Sequence, residues 1–194
     1  MKSSNYVYLF EEAEGTNKKL FGGKGAGLAE MTLMGLPVPP GFIITTEACL
    51  KYYGNKKKLP GGLMEEIQTK LKSIEEKTGK VLGSVRNPLF VSVRSGAAIS
   101  MPGMMDSILN LGLNDKTIEG LIQITSDGRF AFDAYRRFIQ LFGKIALGVD
   151  EKEFDHILNR MKEKAGAAYD TDLEADSLKD ICRQYLDVIK KKTG

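Results

Sequence analysis

Residues 90–112, FVSVRSGAAISMPGMMDSILNLG, set a cation at the end of an alternating, strand-like run. Small residues, a proline and three methionines follow. Alternation places Val91 and Val93 on one face and Phe90, Ser92 and Arg94 on the other. An arginine at a strand end can take two phosphate oxygens at once. Gly96 and Gly103 give the backbone conformational freedom, and Met101, Met104 and Met105 offer adaptable apolar surface that packs well on flat rings. Two readings fit. The loop closes over a ligand with an anionic end and an apolar end, or the methionines fill a core and Arg94 pairs with a carboxylate. In either case 90–94 reads as a strand and 108–113 as another, so this part of the chain is not purely helical.

Working outward toward the N-terminus, YVYLF (6–10) alternates like a strand and GFIITT (41–46) is a second, with Thr46 expected to cap a helix from Glu47. Between them lies FGGKGAGLAEM (21–31), where Gly22, Gly23, Gly25 and Gly27 surround Lys24 ahead of a helix of about ten residues that stops at Gly35. Glycines let backbone amides approach an anion, a helix N-terminus adds a favourable dipole, and lysine adds a mobile charge. The spacing matches neither the P-loop nor GxGxxG. On composition alone this stretch is a phosphate cradle or a flexible helix entry. From Gly62 to about Leu82, Leu63, Ile67, Leu71 and Ile74 share a helical face.

Beyond residue 114 no strand pattern remains. Phe130, Ala134, Phe138, Phe142 and Ile145 recur at helical spacing. Asp150 and Glu153 open a helix carrying Phe154, Ile157, Leu158 and Met161. Ser177 is expected to cap a last helix with Leu178, Ile181, Tyr185, Leu186 and Ile189 inward. Arg136 and Arg137 are expected at the edge of this half, solvated or ion-paired. His156 sits mid-helix with no second histidine or cysteine nearby, which argues against a metal or nucleophile role. The fold class is therefore α+β. Residues 1–113 form a small sheet with helices, and residues 114–194 an all-helical subdomain.

Composition narrows the function classes. A 194-residue chain with 42% apolar and 27% charged residues has the balance of a folded domain. A net charge of +3, with acids interleaved among the bases, gives no nucleic-acid footprint. Two distant cysteines and one histidine supply neither a disulfide framework nor a zinc site, and no metal ligands are expected in this chain. No apolar run approaches the ~18 residues that would span a bilayer, and the N-terminus carries acids where a signal peptide is apolar. A cytoplasmic protein with no membrane partner is expected.

GGKGAGLAEMTLMGLPVPPGF and then SVRSGAAISMPGMMDSILNLGLND, about seventy residues apart, closely resemble the N-terminal region of the pyruvate phosphate dikinases. FDAYRRFIQLFG is similar to that family's continuation, so the resemblance covers essentially the whole chain. The MPGMMDSILNLGLN segment separates it from the related phosphoenolpyruvate synthases, which keep a lysine loop and an arginine strand. The resemblance implies an incomplete ATP-grasp subdomain at 1–113 followed by the helical subdomain. It also implies that Lys24 and Arg94 bind and polarise ATP phosphates, while the loop around Gly103 and Met105 covers the nucleotide. In the full enzyme ATP phosphorylates a histidine on a swivelling domain, which then phosphorylates pyruvate. The products of ATP, pyruvate and phosphate are AMP, phosphoenolpyruvate and pyrophosphate.

Members of that family are several times longer. The second ATP-grasp half with its magnesium-binding acids, the phosphohistidine motif and the pyruvate barrel have no counterpart in this sequence. The magnesium that accompanies ATP is therefore expected to find its ligands outside this chain. Pyruvate and phosphate would be met only through those missing domains, and the chain alone is expected to be inactive in the full reaction. As a fragment it is expected to be monomeric, the family dimerising through its barrel. Two alternatives stay open: a stand-alone, non-catalytic nucleotide-binding or interaction module, and the ATP-binding part of a related dikinase such as phosphoenolpyruvate synthase.

Overall fold

The computed structural model describes residues 5–15, 17–96 and 107–194. These fall into two units, the first from residues 5–79 with 95–96, the second from Lys80–Arg94 with residues 107–194. Seven helices and three two-stranded sheets among the described residues make the α+β fold. The division differs from the change of texture at 113 to 114, because the strands between 81 and 111 group with the helices that follow them.

In the first unit, the alternating runs become β1 (Val7–Leu9) and β2 (Phe42–Ile44), antiparallel with Val7 opposite Ile44 and Leu9 opposite Phe42. Helix α1 (Lys18–Leu33) lays Phe21, Ala26 and Ala29 against Ile43 and Ala13. Helices α2 (Thr46–Gly54) and α3 (Leu63–Thr78) contribute Ala48 and Leu63 to a second cluster with Tyr6 and Val7. The Glu66 carboxylate accepts the amides of Tyr6 and Val7 at 2.7 and 2.9 Å, clamping α3 to the edge of β1. Two sequence expectations are corrected here. Thr45, not Thr46, caps α2, accepting the Ala48 amide at 3.3 Å. Helix α3 stops at Thr78 rather than near Leu82, because Gly79 turns the chain at φ 66° and Val81 and Leu82 enter a strand.

In the second unit, β3 (Val81–Leu82) runs parallel to β4 (Pro88–Leu89), and β5 (Val91–Arg94) runs antiparallel to β6 (Ser107–Leu111). The β5–β6 register shifts between Val91 and Val93, so strict alternation fails. Val93 is 47% exposed, while Phe90 packs on the core. Helices α4 (Thr117–Thr125), α5 (Gly128–Ile145), α6 (Glu151–Ala165) and α7 (Ala175–Thr193) surround one apolar cluster centred on Phe154, Leu173, Leu178, Ile181 and Tyr185. The inward face of α6 is the expected one: Phe154, Ile157, Leu158 and Met161. Helix α7 begins at Ala175 after Glu174, so Ser177 lies inside it and caps nothing. Helix α5 is rotated from its expected face. Ala131, Tyr135 and Ile139 are buried and Phe130 is half exposed.

Candidate functional site

Lys24 lies within α1, but α1 is two helical pieces. Asn17 opens the first, its side chain accepting the Leu20 amide at 3.1 Å. Gly22 then adopts φ 68° and ψ 165°, a conformation essentially restricted to glycine, and is itself buried. An i→i−4 ladder cannot run through a residue at those angles, so a second N-terminus forms just before Lys24. The first amides of a helix have no helical carbonyl behind them, and at a start in this place those amides would be the ones of Gly23 and Lys24. Local packing fixes this short piece. A Cβ on Gly25 would stand 3.1 Å from the Ile43 side chain, so that glycine lets α1 sit down on β2. A Cβ on Gly27, by contrast, would meet nothing within 4 Å among the described residues, so their packing gives no reason for a glycine there. The Thr46 hydroxyl, displaced from the capping role, donates to the Lys19 carbonyl at 2.7 Å, on the first piece of α1.

Lys24 is half buried and Arg94, on the last residue of β5, is exposed. Neither side chain joins an ion pair among the described residues. Lys24 belongs to the first unit and Arg94 to the second. Gly103 and Met105 lie outside the described residues. Among the described residues no group of three or more His, Cys, Asp or Glu side chains is placed to hold a metal ion, so no residue here is assigned to magnesium. A shallow hollow of about 550 Å³ lined by Tyr6, Leu50, Lys51, Gly54, Asn55 and Pro60 does not include Lys24. No helix among the described residues is long and apolar enough to cross a membrane.

Arg136 is ion-paired, one of the two states expected, but it is buried rather than at the edge. It is 3% exposed, its guanidinium held by Asp133 at 2.7 Å and by Asp170 at 3.4 Å. Burial favours its neutral form, but the Asp133 hydrogen bonds outweigh that and hold it charged. Lys162 completes the group at 3.1 Å from Asp170. Arg137 is the solvated partner, reaching the other oxygen of Asp133 at 3.0 Å. Beside this network burial pushes the Cys182 thiol up to about 12, with the Arg136 charge opposing. His156 and Cys49 are exposed, so of the two cysteines only Cys182 is interior.

Residues 18–77 match the family described as pyruvate phosphate dikinase, AMP/ATP-binding domain, a stretch that includes both pieces of α1. Pyruvate, phosphate dikinase of Entamoeba histolytica is 56% identical over 180 residues, covering 93% of this chain and 20% of that protein. The Clostridium symbiosum protein of the same name is 47% identical over 188 residues, 97% of this chain and 22% of its own length. A chloroplastic one from Flaveria pringlei is 51% identical over 177 residues, 91% and 18% respectively. The chain thus spans about a fifth of the length of these relatives. It matches the AMP/ATP-binding domain of the pyruvate phosphate dikinase family over residues 18–77 and aligns almost throughout with proteins of that name.

Proposed function

We propose that this chain supplies one wall of the ATP site of a pyruvate phosphate dikinase, with an ATP-grasp arrangement to which it contributes the first part. Lys24 and Arg94 each bind phosphate oxygens of ATP, and the loop around Gly103 and Met105 covers the nucleotide. The observation that carries this reading is the break at Gly22. It sets two amides and the Lys24 ammonium at one helix start, inside the stretch that matches an AMP/ATP-binding family. Phosphoryl transfer asks a protein mainly for positioning and for charge where the phosphates lie. Two cations that join no ion pair among the described residues, and a Gly27 whose would-be Cβ meets no described neighbour within 4 Å, suit that demand. The phosphates would accept from the Gly23 and Lys24 amides and the Lys24 ammonium. The Arg94 guanidinium would donate two parallel N–H bonds to one phosphate. Magnesium, when bound with ATP, would offset negative charge on the phosphates, through ligands expected outside this chain. Transfer onward to a histidine and then to pyruvate, with AMP, phosphoenolpyruvate and pyrophosphate as products, belongs to the longer protein.

Calorimetric titration of MgATP tests this. One wall of a site gives little enclosure, so the wild-type chain is expected to bind with a dissociation constant weaker than about 1 µM. Lys24→Ala and Arg94→Ala should each weaken binding by roughly tenfold or more, the scale of a hydrogen bond to a charged group, without lowering the melting temperature. Wild-type affinity in both variants overturns the assignment. An Arg94→Ala chain that melts far lower without ATP would make Arg94 a structural ion-pair partner instead.

A further inference from the structure

We infer that Thr46 is a positioning residue for the phosphate-binding turn. The inference rests on the reading of Lys24 just given and extends it to a residue outside that turn. In an unbroken helix the Lys19 carbonyl would accept the amide of Gly23. Gly22 adopts a glycine-only conformation inside α1, and a ladder interrupted there would part the Gly23 amide from the Lys19 carbonyl. The structure fills the carbonyl from elsewhere: the Thr46 hydroxyl donates to it at 2.7 Å from 27 positions further along the chain. That bond satisfies the Lys19 carbonyl when the ladder to Gly23 is broken, which lowers the cost of the broken form. The broken form of α1, rather than a straight one, is favoured before any ligand arrives.

The neighbouring threonine makes the division of labour plain. Thr45 is buried and spends its side chain on the Ala48 amide as the cap of α2. Thr46 is half buried, sits in the first turn of α2, and is free to reach back to α1. Helix α2 is in turn anchored through Ala48 in the cluster with Tyr6 and Val7, so the donor is carried by a packed element. Gly25 seated on Ile43 of β2 holds the second piece of α1, and Thr46, two residues beyond β2, holds the first. The segment Phe42–Thr46 therefore grips α1 on both sides of its break. Thr46 touches no phosphate in this arrangement. It acts through the backbone geometry at Gly23 and Lys24.

The test is a nitrogen-15 NMR titration of MgATP into the 194-residue chain, alongside Thr46→Val, Thr46→Ser and Lys24→Ala, with melting temperatures measured in parallel. Wild type and Thr46→Ser should show saturable shifts of the Gly23 and Lys24 amides. Thr46→Val should weaken binding roughly three- to tenfold, the scale of one neutral hydrogen bond, with the melting temperature near wild type. In the free protein, Thr46→Val should also displace the Gly23 amide resonance while Thr46→Ser leaves it near its wild-type position. If Thr46→Val binds like wild type while Lys24→Ala does not, the positioning role fails and the phosphate reading survives. Should Lys24→Ala bind like wild type, or wild type show no saturable shift, the reading beneath the inference fails. A Thr46→Val chain that melts well below wild type yet binds unchanged would mark a merely structural tie and overturn the inference.

Discussion

At the scale of single residues, the role proposed for Lys24 rests on Gly22. A side chain at φ 68° and ψ 165° is strained whatever room surrounds it, and Gly22 is buried besides. Gly22→Ala is therefore expected to cost about 1–3 kcal/mol by urea denaturation. MgATP binding should fall by more than that destabilisation explains, because a chain that relieves the strain by straightening α1 withdraws the Gly23 and Lys24 amides. Stability and affinity both at wild-type levels would show that the break is not needed. This residue also marks what the sequence could convey. Four glycines around Lys24 announce an unusual backbone, but nothing in FGGKGAG says that Gly22 carries the break, Gly25 seats on a strand and a Cβ on Gly27 would meet no described neighbour within 4 Å. The role of Gly25 depends on Ile43, eighteen positions away. Arg136 was equally opaque. Its burial rests on Asp133, one turn earlier, but also on Asp170 from a separate segment, and composition alone gives a buried arginine no advance notice.

At the scale of elements, periodicity located helices more surely than it oriented them. Helix α6 was legible down to its inward face because its apolar residues are few and fall at one spacing among charges. Helix α5 carries aromatic residues on more than one side, so the largest side chains were a poor guide to its phase. The structure buries Ala131, Tyr135 and Ile139 and leaves Phe130 50% exposed. This yields a clean contrast. Ile139→Ala should cost about 2–5 kcal/mol, since it empties volume in a packed core. Phe130→Ala should cost under about 1 kcal/mol, since it removes a side chain already facing solvent. Urea denaturation of the two variants decides it, and a Phe130→Ala loss equal to that of Ile139→Ala would restore the face read from the sequence. Strands β3 and β4, of two residues each, are too short for any alternation to appear, and only pairing defines them. The adjacent threonines of α2 were indistinguishable as caps until φ and ψ separated the residue before the helix from the first one in it.

At the scale of the whole molecule, the two units differ in what they bury. The first joins small clusters around β1 and β2 with carboxylate and lysine pairs near its surface, such as Glu12 with Lys70 at 2.7 Å. The second has one larger core, and into it go a thiol and two phenols. Burial raises Cys182 from an ordinary 9.0 to about 12 and Tyr185 from 10.0 to about 12, with the Arg136 charge opposing in both cases. Tyr135 is raised as well, by burial first and then by its hydrogen bond to Asp115 at 2.9 Å. Each of these groups keeps its proton in the folded chain after the unfolded chain has lost it. Between about 9 and 12 the folded state thus binds more protons than the unfolded state, and stability falls as pH rises. Each group contributes roughly 1 kcal/mol per pH unit within its own window. The urea midpoint should hold steady from about pH 7 to 8.5 and then decline steeply toward pH 11. Cys182→Ala, although less stable at neutral pH, should show a shallower decline, because one of the three titrations is gone. A midpoint that stays level to pH 11, or a Cys182→Ala chain that declines as steeply as wild type, would mean that these protons are not held by the folded core.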